Sequence, residues 1–207
     1  MDNINNKTVE PVSVEYQKID TLLPPSFANF LETELTNMNS WMYVPSASGY
    51  ETAYDPADTN IVDSSQFSHI IYDFEYRISS RIWEHVSPML WFLEDRTGYR
   101  VIDIGRIKAN LLLPGDTKKN NYNPPHTDME MKGYTSMVYY VNDSDGDTRL
   151  FDKHIEDTHV DLTMTNSNTP KKGSAILFPS TQYHCSSNPI QSKTRIVINF
   201  VLKLSKF

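Results

Sequence analysis

Six short apolar runs separated by turn residues dominate the chain after Tyr99. Clusters of Gly, Pro, Asn and Asp interrupt them every few residues, and this is the pattern of an all-β sandwich or barrel. The runs lie at 101–113, 134–141, 148–151, 159–165, 174–178 and 194–204. They predict a mostly β fold for the second half of the chain.

The first half has the apolar spacing of helices instead. Ser26 is a predicted N-cap, and apolar residues follow at helical spacing from Phe27 to Leu35. A second stretch repeats apolar residues every three or four positions from Phe67 to Met89. It predicts a long helix whose apolar stripe packs on a sheet.

The order of these patterns predicts one domain over residues 1–207, because a chain of 207 residues suits a single sizeable core. Residues 1–13 are polar and are expected to form a flexible arm. Residues 14–98 are expected to form a helical support region, with a first strand between 14 and 22 and a long loop over 40–58. Residues 99–207 are expected to form the β core.

Composition excludes several classes of protein. Lys and Arg number 19 against 26 Asp and Glu, a net charge of −7, which argues against a nucleic-acid partner. The single cysteine, Cys185, excludes a disulfide framework and a thiolate zinc site. The sequence shows neither a signal peptide nor an apolar stretch long enough to span a bilayer. We therefore expect a soluble cytoplasmic protein that does not bind membranes.

The last apolar run alternates between two kinds of side chain. Ile196, Ile198 and Phe200 share one face of the predicted strand, whereas Arg195 and Asn199 share the other. The apolar face is expected to pack against the helices. The other face suits the interior of a barrel that holds a polar ligand.

A candidate metal site begins at His126 and Asp128. One residue separates them, so on an extended strand both side chains point the same way and can bind one metal ion. The third ligand must come from elsewhere, and His154, His159 and His184 are the candidates. We favour His184, because it follows a predicted buried strand and a short turn and would lie on the next strand.

Two histidines and one carboxylate are the ligands of non-haem Fe(II) oxygenases, which keep coordination positions open. Zinc catalysis with the same ligands remains possible, although the His-rich helical motifs that it typically uses are absent from the sequence. Arg195 follows His184 by eleven residues, and a hairpin would bring it to the same cavity. Its guanidinium suits the distal carboxylate of a dicarboxylate such as 2-oxoglutarate.

In this order and context, the residues resemble the iron(II)/2-oxoglutarate-dependent dioxygenases, in the prolyl-4-hydroxylase-like branch that includes many phage-type members. The family pattern is H-x-D, a downstream His and then a basic residue, and it is met by His126, Asp128, His184 and Arg195. Residues before H-x-D, the turn at 146–148 and the segment before His184 resemble the family as well.

The resemblance covers residues 99–204, about half the chain. It implies a mostly β fold with N-terminal α-helices, namely a double-stranded β-helix or jelly roll. It further implies that His126, Asp128 and His184 bind Fe(II) and that Arg195 binds the C5 carboxylate of 2-oxoglutarate. With O₂ as the other co-substrate, we expect a hydroxylase that releases succinate and CO₂.

Three more residues are candidate co-substrate ligands, namely Asn199, Asn110 and Tyr139. The chain departs from the prolyl hydroxylases at Pro124, where they often carry Tyr, and at Arg195, where Lys is common. These departures concern the substrate more than the type of reaction.

The expected substrate is a peptidyl residue such as proline, or a small metabolite. If the chain is phage-encoded, its location would be the host cytoplasm. Two alternatives remain open: a non-enzymatic jelly-roll binding module, and a cupin-type metalloenzyme that needs no 2-oxoglutarate. The sequence does not indicate an oligomeric state.

Overall fold

Two facing antiparallel sheets and three helices make up the described part of the chain. The computed structural model describes residues 10–48, 63–115, 122–157 and 161–207. The helices are α1 (Pro25–Thr36), α2 (Trp83–Val86) and α3 (Met89–Thr97). The strands are β1 (Gln17–Ile19), β2 (Met42–Val44), β3 (Gln66–Asp73), β4 (Ile78–Ser79), β5 (Tyr99–Leu112), β6 (Thr135–Tyr140), β7 (Thr148–His154), β8 (Met164–Asn168), β9 (Ala175–Pro179), β10 (Gln182–Ser186) and β11 (Arg195–Lys206).

The larger sheet has the order β1-β9-β6-β11-β5-β3-β2, with β4 paired to β3, and the smaller sheet has the order β10-β7-β8. Consecutive strands alternate between the two sheets from β6 onward, apart from the β7–β8 hairpin. This confirms the predicted jelly roll with helices at its N-terminal side.

The helices cover the outer face of the larger sheet. Leu31 of α1 and Leu93 of α3 belong to the same buried cluster as Ile198 and Phe200 of β11. Val197, on the opposite face of β11, belongs instead to a cluster between the two sheets. The predicted two faces of this strand are therefore confirmed, and the polar residues Arg195 and Asn199 point between the sheets, where they line a cavity.

The long helix predicted from Phe67 to Met89 is wrong. Its first part is the strand β3, followed by β4 and the short helix α2. A bulge at Ile71 inserts one residue between the pairs Ile70–Lys108 and Tyr72–Ile107. Ile70 pairs with the cavity-lining Lys108, whereas Ile71 packs in the cluster beneath the helices. Apolar residues on the two faces of one bulged strand thus recur at three- and four-residue spacing, which imitates a helix.

Smaller differences concern the ends of elements. Helix α1 begins at Pro25, whose ring presets the helical φ, and Ser26 makes no side-chain cap. The predicted loop over 40–58 contains β2, and residues 49–62 lie outside the described part. Residues 1–9 of the predicted arm also lie outside it, while Val12 pairs with Leu204 at the end of β11. In the described ranges, no helix is long and apolar enough to cross a membrane.

Candidate metal centre

His126, Asp128 and His184 meet between the two sheets. His184 lies on β10, and His126 pairs with it through two backbone hydrogen bonds of 2.9 Å each. The Asp128 amide donates to Ser180 O at 3.0 Å, in the turn that leads into β10. The three side chains each offer a ligand atom, and these atoms all lie within 4.8 Å of one another. Of the three candidates for the third ligand, the structure thus brings His184 to the pair.

The other two candidate histidines do not join this cluster. His154 lies at the end of β7, where its Nδ1 contacts Thr181 Oγ1 at 3.0 Å. His159 lies outside the described residues.

Buried polar contacts fix the carboxylate of Asp128, whose side chain is only 4% exposed. Ser136 Oγ donates to Asp128 Oδ2 at 2.5 Å, and Asn199 Nδ2 lies 3.0 Å from both carboxylate oxygens. Arg106 Nη2 lies 3.5 Å from Asp128 Oδ1. Burial alone would raise the pKa of this carboxyl, but the nearby His184 and Arg106 hold the pKa well below its usual range. Asp128 is therefore an anion.

The imidazoles are arranged as metal ligands require. Burial, together with the charge of His184, lowers the pKa of His126 to about 3, so its imidazole is neutral. His184 Nδ1 lies 3.1 Å from Gln182 O, so this backbone carbonyl orients the ring. Its Nε2 lies 3.5 Å from Asp128 Oδ2 and is the ring nitrogen that faces the carboxylate. A backbone carbonyl that orients a histidine in this way is typical of metal sites.

The three side chains open onto a cavity between the sheets. Its described lining consists of Ala47, Gln66, Lys108, Asn110, His126, Asp128, Val138, Thr148, His184, Cys185, Ser186, Arg195, Val197 and Asn199. Cys185 is a free, buried thiol whose pKa burial raises to about 12, so it stays neutral and is a poor nucleophile.

Arg195 lies at the other end of this cavity and is 3% exposed. Its Nε donates to Gly146 O and its Nη2 donates to Thr148 Oγ1, both at 2.7 Å. Burial lowers the pKa of this guanidinium. The adjacent Asp147 accepts hydrogen bonds from other side chains, at 2.6 and 2.8 Å. Among the described residues no carboxylate forms an ion pair with Arg195.

A buried cation without an ion-pair partner is costly, and a bound anion would offset that cost. The structure thus places the buried guanidinium of Arg195 in the same cavity as three residues that could hold a metal ion.

The three further candidate co-substrate ligands do not all lie in the cavity. Asn110 and Asn199 line the cavity, and each has a buried Oδ1 without a hydrogen-bond partner. The prediction for Tyr139 is wrong, because its side chain belongs to the cluster beneath the helices. Tyr139 pairs with Ile198, which faces the helices. The next residue, Tyr140, faces the space between the sheets instead.

The sequence patterns did not identify three further residues of the site, namely Lys108, Ser136 and Thr148. Lys108 lies two residues before Asn110 on β5, so strand alternation alone would have placed it in the cavity.

Replacing Asn199 with alanine is expected to weaken the binding of a divalent ion such as Mn(II) by about 10- to 100-fold, because Asn199 orients the Asp128 carboxylate. Titration of the metal-free protein measures this. Asn142→Ala is the control, since Asn142 bonds Ile196 N and Thr194 O near the start of the same strand. Equal metal affinity in Asn199→Ala and wild type would contradict the role of Asn199 in positioning Asp128.

No protein-family model and no curated protein sequence matches the chain. Solved structures do match it. A prolyl-4-hydroxylase from Pseudomonas putida has a TM-score of 0.55 and 14% identity, with 91% of each chain covered. A 2OG-Fe(II) oxygenase family oxidoreductase from Burkholderia pseudomallei has a TM-score of 0.58 and 13% identity, over 91% of this chain and 84% of that one.

A third structure, the non-haem alpha-ketoglutarate-dependent carbocyclase SnoK from nogalamycin biosynthesis, has a TM-score of 0.57 and 11% identity, over 91% of this chain and 79% of that one. Likeness at such low identity concerns the fold and leaves the reaction open. The chain has the jelly-roll fold of the 2OG-Fe(II) oxygenases.

Proposed function

We propose that this chain is an Fe(II)- and 2-oxoglutarate-dependent oxygenase that hydroxylates its substrate. The observation that carries the proposal is the shared cavity. It holds the cluster of His126, Asp128 and His184 and also the buried guanidinium of Arg195, which has no ion-pair partner among the described residues. A metal ion and an organic anion fit these two places together.

The donor set fits Fe(II). Two imidazoles and one carboxylate on the same side leave positions for other ligands, as in the facial triad of non-haem iron oxygenases. The buried Oδ1 atoms of Asn110 and Asn199 have no partner of their own and can accept hydrogen bonds from ligands in the cavity. Bound Fe(II) would supply O₂ activation, coupled to oxidative decarboxylation of 2-oxoglutarate to succinate and CO₂.

The side chains of this protein bind and orient the co-substrate. Arg195 binds the C5 carboxylate, and the Gly146 and Thr148 contacts hold its guanidinium in place. Asn199 lies four residues further along β11, about 13 Å on an extended strand, and contacts the metal ligand Asp128.

The substrate class is a peptidyl residue such as proline, or a small metabolite. The solved structures with this fold include both a prolyl-4-hydroxylase and an enzyme from nogalamycin biosynthesis. The ordered motif favours the prolyl-4-hydroxylase-like branch with its phage-type members. The free thiol of Cys185 agrees with the reducing, cytoplasmic location that we propose.

Anaerobic addition of Fe(II) and 2-oxoglutarate to the purified chain tests the proposal. We expect a weak visible absorption band that needs both components, and metal-dependent release of succinate once air is admitted. The band requires no primary substrate, so it can be measured before the substrate is identified. A protein that shows neither the band nor succinate release would contradict the proposal and favour a non-enzymatic binding module.

A further inference from the structure

A second cation in the cavity, Lys108, has no evident role in binding iron or 2-oxoglutarate. It lies on β5 and lines the cavity, with Asn199 of β11 directly opposite on one side and Ile70 of β3 on the other. Asn199 contacts Asp128, so Lys108 stands next to the metal cluster rather than at the Arg195 end. Among the described residues, no hydrogen bond or ion pair engages its ammonium group.

The charges in the cavity do not balance. Asp128 is the only acidic side chain in the described lining, against Lys108 and Arg195. Asp128 is already engaged by Arg106, Asn199 and Ser136. The charge of bound Fe(II) would be balanced by Asp128 and one carboxylate of 2-oxoglutarate, and that of Arg195 by the other carboxylate. The positive charge of Lys108 would therefore remain when both are bound.

The setting of Lys108 makes this remaining charge costly. Lys108 is half-buried and lines the cavity. Burial and the neighbouring Arg106 lower the pKa of Lys108 to about 8, while Asp128 partly opposes them. The ammonium group is still mostly protonated at neutral pH, so the protein keeps a cation beside its metal cluster. An anionic ligand beside Lys108 would offset the cost.

We propose that Lys108 binds an oxyanion of the primary substrate, a carboxylate or a phosphate group, next to the metal. This inference rests on the proposed function and names its substrate class. The contact would give the substrate one fixed orientation, and so determine which C–H bond faces the metal. Neutral molecules of the same shape would then be poor substrates.

The test uses the whole chain loaded with redox-inert Zn(II) and saturating 2-oxoglutarate, so that the metal and Arg195 are both occupied. Two matched probe pairs are compared by ligand-observed NMR: benzoate with benzamide, and phenyl phosphate with phenol. We expect one anion to bind at least about tenfold more tightly than its neutral partner, as a charged hydrogen bond provides. The preferred anion distinguishes a carboxylate substrate from a phosphate substrate.

Three variants test whether Lys108 causes the preference for the anionic probe. Lys108→Met is expected to abolish it, and Lys108→Arg to retain it. Lys18→Met is the control with the same loss of charge, because Lys18 is exposed and pairs with Asp20. Equal binding of charged and neutral probes to wild type would overturn the inference, as would a preference that survives in Lys108→Met.

A separate titration of 2-oxoglutarate keeps the two hypotheses apart. If Lys108→Met weakens 2-oxoglutarate binding by more than about tenfold, Lys108 serves the co-substrate and the inference fails while the proposed function stands. If the wild-type protein binds no 2-oxoglutarate, the proposed function itself fails.

Discussion

His126→Ala is expected to abolish 2-oxoglutarate turnover and to weaken Fe(II) binding by more than about 100-fold. Mutating a residue that merely orients a metal ligand typically lowers metal affinity by about 10- to 100-fold. Removing a ligand itself should lower the affinity by more. The remaining His184 and Asp128 would provide only two donors. Metal titration and succinate release measure the two effects independently.

The control for this variant is His85→Ala. His85 lies on α2, where its Nδ1 is 3.5 Å from Glu34 and its ring packs against Phe30. The His85→Ala variant also loses an imidazole, but one that does not line the cavity. Its metal affinity and turnover should therefore stay at wild-type values. Thermal unfolding checks that both variants are folded. Succinate release by folded His126→Ala at the wild-type rate would refute the metal centre.

The metal cluster was predictable because each part of it lies in a local pattern. His126 and Asp128 are two residues apart, and His184 follows a buried strand and a turn that the apolar run at 174–178 indicates. Arg195 and Asn199 share a strand face by simple alternation. These inferences need only the period of a strand, and a correct strand assignment is enough to make them.

Features that depend on register were not predictable in the same way. Tyr139 and Tyr140 are adjacent, and only pairing with Ile198 and Val197 decides which of them faces the space between the sheets. A shift of one residue would exchange them. The bulge at Ile71 was not predictable for the same reason, because it depends on how β3 pairs with the partner strand β5. Long-range pairing of this kind leaves no local signal in a single sequence.

Arg195→Met is expected to weaken 2-oxoglutarate binding by about 100-fold or more while leaving Fe(II) affinity unchanged. The guanidinium can donate two charged hydrogen bonds to one carboxylate, each worth about 1.5–3 kcal/mol. Losing both accounts for a decrease in affinity of this size. Arg195 is not part of the cluster of His126, Asp128 and His184, so the metal should bind as before. Direct titrations of metal and of co-substrate measure the two affinities.

The stability of Arg195→Met should change little, because two effects oppose each other. Removing an unpaired buried charge is stabilising. Leaving Gly146 O and Thr148 Oγ1 without their donor costs about 1–3 kcal/mol each. Arg100→Met is the control, since Arg100 stacks over Phe207 at a distance of 5.0 Å and does not line the cavity. A difference in 2-oxoglutarate affinity between these two variants therefore reflects the anion site.

This variant also separates the two metalloenzyme hypotheses. A cupin-type enzyme that needs no 2-oxoglutarate would keep its activity in Arg195→Met, because its metal centre is intact. The proposed oxygenase would lose turnover at low 2-oxoglutarate and recover part of it at high concentration. Arg195→Lys should lie between wild type and Arg195→Met, since a lysine keeps the charge but loses the bidentate geometry. Unchanged 2-oxoglutarate affinity in both variants would exclude Arg195 as the co-substrate residue.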